Sequence, residues 1–174
     1  MNKNWERSFS EMLKHEGGFV NHPRDPGGMT NLGVTKRVWE AYTGSPASET
    51  EMRSLTPAKV KPLYKHNYWD AVRGDELPSG VDFSVFDFCV NSGPGRAAKT
   101  LQYVVGSKPD GQIGPKTLAA VEEFVEKHDA AFLIEEYNDA RLSFLHSLST
   151  WGTFGRGWNR RVEGTRKLSL ELKD

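Results

Sequence analysis

Apolar side chains recur at intervals of three and four residues along most of this chain, which constrains its fold more than any other feature. Such spacing places apolar residues on one face of an α-helix, whereas the alternating pattern of a half-buried strand is nearly absent. The segments predicted to be helical are residues 4–16, 36–43, 57–68, 78–90, 94–105, 115–125, 129–148 and 158–172. We interpret residues 45–54 as a surface loop and 151–157 as a glycine-rich link. The sequence therefore predicts a mainly α fold.

Residues 17–34 break the helical periodicity. They contain five glycines and two prolines with Asn, Asp and Thr between them, a composition typical of turns. We expect loops here, with at most a small β-hairpin near residues 18–34. Thr35 then caps the helix that follows.

Glu16 is the most informative charged residue of the first helical pattern. Trp5, Phe9, Met12 and Leu13 form an apolar stripe, and Glu16 continues it just before Gly17 and Gly18, which we expect to stop the helix. Partial burial raises the pKa of a carboxyl group, as a general acid near neutral pH requires. The alternative is a solvated glutamate at a helix C-terminus, where its charge opposes the helix dipole. We therefore predict a functional role for Glu16.

Two stretches, residues 16–19 (Glu-Gly-Gly-Phe) and 25–35 (Asp-Pro-Gly-Gly-Met-Thr-Asn-Leu-Gly-Val-Thr), carry a family resemblance. They resemble the signature of glycoside hydrolase family 108, the N-acetylmuramidases found as phage endolysins and bacterial autolysins. Residues 68–70, 86–93 and 110–117 match the same family. The resemblance implies a lysozyme-like catalytic region over residues 1–92 and a helical peptidoglycan-binding region over 93–174. We expect the two regions to pack into one compact unit.

The resemblance implies cleavage of the β-1,4 bond between N-acetylmuramic acid and N-acetylglucosamine. Glu16 would then protonate the glycosidic oxygen, and a second group would activate or position water. Asp25 is the nearest loop carboxylate for that role, and the Thr30 hydroxyl is a candidate for positioning water. Both have structural alternatives, because Asp before Pro-Gly commonly forms a turn and a loop hydroxyl often bonds its own backbone.

Four residues are predicted to contact the substrate: Asn31, Tyr68, Trp69 and Asn91. Aromatic faces pack on sugar rings, and amides form hydrogen bonds with acetamido groups. Core packing is an equal alternative for Trp69, since aromatic rings dominate protein cores. For Asn91, a buried hydrogen bond shared with Asp87 toward the Glu16 loop is the structural alternative.

Two other functions remain open at this point. A lytic transglycosylase would use Glu16 on the same bond but would close the muramic acid on itself instead of adding water. A non-catalytic peptidoglycan-binding protein is suggested by residues 110–117, an Asp-Gly-x-x-Gly-Pro turn that leads into a helix.

Charge and ligand patterns limit the partners. The formal net charge of zero indicates no general attraction to nucleic acid. The family resemblance implies bacterial peptidoglycan as the partner. The five histidines show no metal-ligand spacing and no glycine-rich phosphate loop occurs, so we expect neither a metal nor another cofactor. The single cysteine, Cys89, is expected to fill the core. We expect a monomer.

The two ends of the chain bear on its location. We find no signal-peptide pattern and no apolar run of membrane-spanning length, so we expect synthesis in the cytoplasm and action on the cell wall after release through a membrane pore. Residues 151–174 contain six Lys or Arg against three Asp or Glu. This segment is expected to be a packed helix with Arg160, Arg161, Arg166 and Lys167 largely outward, or alternatively a weak contact for the anionic envelope.

Overall fold

The computed structural model describes residues 4–21 and 28–174, which are mainly α-helical as predicted. The helices are α1 (Trp5–Leu13), α2 (Lys36–Thr43), α3 (Glu49–Arg53), α4 (Pro57–Tyr64), α5 (Val81–Ser92), α6 (Pro94–Val105), α7 (Pro115–Lys127), α8 (Ala130–His146) and α9 (Trp151–Leu172). A π-helical turn covers Lys65–Trp69, and a 3-10 turn covers Gly74–Glu76.

The predicted small β element is a three-stranded antiparallel sheet. Its strands are β1 (Val20–Asn21), β2 (Met29–Asn31) and β3 (Val34–Thr35), with β2 in the middle. Thr30 is opposite Val20 on one side and Thr35 on the other. The side chain of Thr35 accepts a hydrogen bond from the Val38 backbone N–H, which confirms its predicted role as the N-cap of α2.

Two segments predicted as irregular are helical, and those predictions were wrong. Residues 45–54 contain α3, because Ser48 caps it through the Glu51 backbone N–H and Met52 is fully buried. Residues 151–157 belong to α9. Gly152, Gly155 and Gly157 disfavour a helix by propensity. Gly155, however, is covered by the Trp151 ring, and a Cβ added to it would lie 2.5 Å from a ring atom. The burial of Met52 is a tertiary contact that local propensity does not reveal, whereas the Trp151–Gly155 contact lies within α9, one helical turn apart.

The chain divides into two compact units. The first unit is Phe9–Asn67, which holds the sheet with α2, α3 and α4. The second unit is Tyr68–Asp174 together with the described residues up to Ser8. Helix α5 contacts α6, α8 and α9, so helices on both sides of residue 92 share one core. The division of the sequence at residue 92 stays a prediction about its functional regions.

Helix α5 is central to the core of the second unit. Its residues from Val81 to Cys89 are all buried, as the apolar pattern predicted. Burial raises the pKa of the Cys89 thiol to about 12, so this side chain is an inert part of the core.

Asp87 is the charged centre of this core. Its carboxylate accepts hydrogen bonds from Arg141 (3.0 Å), Arg161 (3.1 Å) and Thr165 (3.1 Å). Burial acts to raise the pKa of Asp87, but the two arginines outweigh it and lower the pKa to about 2. Asp87 thus ties α5 to α8 and α9.

The outward orientation predicted for the basic residues of α9 was wrong for two of them. Arg161 turns inward to the buried Asp87 carboxylate. Arg166 pairs with Glu135 at 2.6 Å and with Asp139 at 2.8 Å on α8. Neighbouring helices supply carboxylates that the sequence pattern of α9 alone does not reveal, so less positive charge is available to solvent.

Candidate active site

Glu16 lies three residues beyond the end of α1, not within the helix as predicted. The stripe of α1 is buried at Trp5, Phe9 and Met12, which holds the helix against its neighbours. The chain then turns tightly, because the Glu16 N–H donates to the Leu13 carbonyl at 3.1 Å. The Glu16 side chain is half-buried, while Gly17 and Gly18 are exposed.

A two-residue turn, Leu32–Gly33, joins β2 to β3 beside Glu16. Its φ angles are +52° at Leu32 and +78° at Gly33, as in a type I′ hairpin. Positive φ is unfavourable for a leucine by about 1–2 kcal/mol, so surrounding contacts must hold this conformation. The Leu32 N–H donates to the Gly17 carbonyl at 3.0 Å, which links the turn to the segment that carries Glu16.

Gly33 is in close contact with two functional groups. A Cβ placed on it would lie 2.6 Å from Oε2 of Glu16 and 2.5 Å from the hydroxyl of Tyr64. Both groups therefore converge on the Gly33 backbone, and any side chain there would displace them. This is the physical reason for a glycine at this position.

Tyr64 fixes the turn from the other side. It is almost fully buried at the end of α4, and its ring packs against Phe9 of α1 at 5.8 Å between ring centroids. Its hydroxyl donates a 2.8 Å hydrogen bond to the Leu32 carbonyl. The backbone N–H and C=O of Leu32 are therefore both bound, one by Gly17 and the other by Tyr64.

Tyr64, Leu32 and Gly33 were not among the predicted site residues, although Leu32 and Gly33 lie in the stretch 25–35 that carries the family resemblance. Tyr64 appeared in the sequence as one member of an apolar helical stripe, with no local signal for its hydroxyl. The local signal for the turn is Gly33 alone, because glycine adopts positive φ at no steric cost; Leu32 gives no such signal.

Thr30 and Asn31 are neighbours on β2 with different environments. Successive strand residues point to opposite faces of a sheet. Asn31 is buried, and its amide donates to the Met52 carbonyl at 2.9 Å, so it attaches the sheet to α3. Thr30 is half-buried on the other face, with its cross-strand partners Val20 and Thr35. Thr30 keeps accessible surface, whereas Asn31 has little surface with which to contact a sugar.

Asp25, the predicted second carboxylate, lies outside the described residues. Its catalytic role stays a prediction.

The other predicted substrate contacts, Tyr68, Trp69 and Asn91, belong to the second unit. Tyr68 and Asn91 are half-buried, and the Asn91 side chain accepts a hydrogen bond from Arg141 at 3.3 Å. Trp69 is fully buried, and its indole N–H donates to Asp75 at 2.9 Å. This burial favours core packing, which was the alternative for Trp69.

The Asp110–Thr117 turn of the predicted wall-binding region is organised by Gln102. This fully buried amide donates to Asp110, the Gln112 carbonyl and Thr117 at 2.8–3.1 Å and accepts from the Gly111 N–H at 2.9 Å. A hydrogen bond from the Gln112 N–H, followed by the one from Gln102, lowers the pKa of Asp110. The turn borders a groove of about 530 Å³ that includes Lys108 and Lys116.

Two features are absent from residues 4–21 and 28–174. No cluster of three or more His, Cys, Asp or Glu side chains in these ranges is arranged to hold a metal ion. No helix in them has the length and apolar character needed to cross a bilayer.

Two sequence-family models and a solved structure match this chain. The sequence model of the family described as Glycosyl hydrolase 108 matches residues 9–93, and that described as Predicted Peptidoglycan domain matches residues 96–163. A solved structure, described as "Structure of Brucella abortus SagA", is 45% identical, with a TM-score of 0.85; the match covers 98% of this chain and 95% of that chain. No curated protein matches the chain significantly.

Proposed function

The chain belongs to the glycosyl hydrolase 108 family and is a peptidoglycan hydrolase, and from this premise we propose that Glu16 is its general acid. The proposed reaction is cleavage of the β-1,4 bond between N-acetylmuramic acid and N-acetylglucosamine. The observation that carries the proposal is the convergence of the Glu16 carboxyl and the Tyr64 hydroxyl on Gly33. A carboxyl group held in this way, with exposed glycines after it, is accessible to a bulky polymer.

In the proposed reaction Glu16 donates its proton to the glycosidic oxygen as the bond to the anomeric carbon breaks. Water then adds to that carbon, activated by Asp25 or another carboxylate or positioned by Thr30. A carboxyl separation of about 5–5.5 Å predicts retention of configuration, and one of about 6.5–9.5 Å predicts inversion.

The test is the Glu16→Gln variant, which keeps the shape of the side chain but removes the transferable proton. We expect it to bind purified cell wall and to lose at least about 100-fold of the clearing rate, the usual contribution of a general acid. The matched control is Glu11→Gln on α1, where Glu11 pairs with Lys14 at the surface. Full clearing by the Glu16→Gln variant would show that the acid is a different residue.

The bond and the reaction type are tested on the products. Digested peptidoglycan is reduced with borohydride and analysed by mass spectrometry. We expect reduced muramic acid at the new ends; reduced glucosamine would identify the other glycosidic bond as the target. Anhydro-muropeptides would identify a lytic transglycosylase instead.

We also propose an endolysin role, in which the protein reaches the wall through a membrane pore. Expression in a bacterium with and without a pore-forming partner tests it. Lysis is expected only with the partner, and prompt lysis by this protein alone would contradict the proposal.

We propose that the enzyme acts as a monomer and that α9 contacts the envelope only weakly, since Arg161 and Arg166 are paired within the protein. Sedimentation equilibrium and pelleting with anionic vesicles test the two parts. A dimer at micromolar concentration, or strong vesicle binding at physiological salt, would contradict them.

A further inference from the structure

A shallow groove in the same unit as Glu16 is formed by Ala41, Tyr42, His66 and Asn67. We propose that this groove is a subsite for one N-acetylated sugar residue of the glycan strand. The proposal rests on the proposed function for the identity of the polymer, but its evidence is separate from that for Glu16.

Tyr42 supplies an aromatic surface in this groove. Its side chain is 39% exposed, although it lies on a helix whose Trp39 is buried. The two ring centroids are 5.9 Å apart, so Trp39 supports the Tyr42 ring from the protein side. A supported and exposed aromatic ring offers an apolar face and a polar hydroxyl, the combination that suits a sugar with C–H and O–H groups.

The π-helical turn Lys65–Trp69 supplies the polar groups. Such turns are rare and occur frequently at functional sites. In this turn His66 is exposed and Asn67 is half-buried. The turn therefore brings an imidazole and an amide to the surface beside Tyr42.

The hydrogen bond between His66 and Asn67 sets the polarity of the groove. Nδ1 of His66 is 2.9 Å from Oδ1 of Asn67. In the tautomer that donates from Nδ1, the Asn67 side-chain oxygen accepts this hydrogen bond. The Nδ2 group of Asn67 is then available as a donor to a ligand, and Nε2 of His66 is available as an acceptor. An acetamido carbonyl and a sugar hydroxyl are the complementary partners.

The size and charge of the groove favour a sugar over a stem peptide. Its volume of about 350 Å³ is at the lower end of small-molecule sites and suits one ring rather than a polymer segment. The described residues that line it include no Asp, Glu, Lys or Arg, so none of them carries a fixed charge to pair with the carboxylates of a peptide.

Chain connectivity relates the groove to the elements that surround Glu16. Helix α2 begins directly after β3, the strand that follows Gly33. Tyr42 is seven residues after Thr35, which corresponds to a rise of about 10 Å along α2. Asn67 is three residues after Tyr64 in the run that continues α4. A glycan strand bound at Glu16 would thus gain a second point of attachment within the same unit.

The experiment measures binding in the Glu16→Gln background, so that turnover does not consume the probe. The probes are tri-N-acetylglucosamine and its de-N-acetylated counterpart, titrated by calorimetry. We expect Tyr42→Ala to raise the Kd for the acetylated trimer about 10-fold and Asn67→Ala to raise it about 5-fold. Asn67→Asp, which exchanges the donor for an acceptor at constant volume, should remove the preference for the acetylated trimer.

The matched control is Tyr103→Ala. Tyr103 is 67% exposed on α6 in the second unit, so this substitution should leave the Kd for the acetylated trimer unchanged. Thermal unfolding of each variant verifies folding; if Tyr42→Ala is unfolded, Asn67→Asp decides the question. Unchanged affinity in folded Tyr42 and Asn67 variants, equal affinity for the two trimers, or no binding at all would overturn the subsite. These outcomes are independent of whether Glu16→Gln abolishes clearing, so the two proposals fail separately.

Discussion

The hydroxyl of Tyr64 donates a 2.8 Å hydrogen bond to the carbonyl oxygen of Leu32, a residue with a φ of +52°. The same hydroxyl lies against Gly33, on which the Glu16 carboxyl also converges. One tyrosine therefore stabilises the strained turn that defines the surroundings of the proposed acid. The consequences of this arrangement can be measured.

Tyr64→Phe removes the hydroxyl and leaves the Leu32 carbonyl without this donor. We expect a loss of about 1 kcal/mol in the free energy of unfolding, together with a reduced turnover number. The matched control is Tyr137→Phe, because the buried Tyr137 hydroxyl also donates to a backbone carbonyl, that of Ala97, at 3.0 Å. The control should lose similar stability in urea unfolding and keep its activity. Equal activity in both variants would argue against a role for Tyr64 at the site.

Gly33→Ala places a Cβ against Glu16 and Tyr64, so we expect it to displace the acid and remove most of the activity. The control is Gly44→Ala, since Gly44 has the same φ of +78° but a Cβ added there would meet no atom within 4 Å. Both substitutions carry the cost of positive φ, about 1–2 kcal/mol, and only Gly33→Ala adds the steric conflict. Clearing assays at matched folded fractions measure the difference, and similar activities would contradict the close packing around Gly33.

Trp69→Phe tests whether this tryptophan contacts sugar or fills the core. The substitution removes the hydrogen bond to Asp75 and part of a fully buried ring, so we expect a loss of about 1–3 kcal/mol in stability. The turnover number and the affinity of the folded protein for glycan fragments should stay the same. A weakened affinity without a loss of stability would restore the substrate-binding role.

Asp87→Asn should destabilise the second unit by about 3–5 kcal/mol at pH 7, because the buried Arg141 would keep its charge without a carboxylate partner. The control is Asp139→Asn. The Asp139 side chain is 64% exposed and Arg166 keeps Glu135 as a partner, so this substitution should cost less than about 1 kcal/mol.

The Asp87 carboxylate also predicts a pH dependence. Its folded pKa of about 2 is below the ordinary value of 3.8, so its stabilisation is complete above about pH 4 and is lost as the pH falls toward 2. Urea unfolding at a series of pH values should therefore show the difference between wild type and Asp87→Asn shrinking over that interval. A constant difference down to pH 2 would contradict the depressed pKa.

Local patterns were sufficient to predict most of the helices, the buried stripe that leads to Glu16, the small β element near residues 18–34 and the Thr35 cap. These features depend on neighbours within about one helical turn or one hairpin, which a single sequence contains directly. The family resemblance carried by residues 16–19 and 25–35 was sufficient for the enzyme class.

Only the tertiary structure decided which side chains surround Glu16 and which polar residues are structural. Gly33 and Tyr64 are far from Glu16 in sequence, and their convergence depends on the bonds of the hairpin turn to Gly17 and to Tyr64 of α4. The same holds for Arg161, which binds Asp87 across 74 residues, and for Met52 of α3, whose complete burial the local sequence does not reveal. Sequence periodicity assigns a residue to a face, but the partner on that face is set by long-range packing.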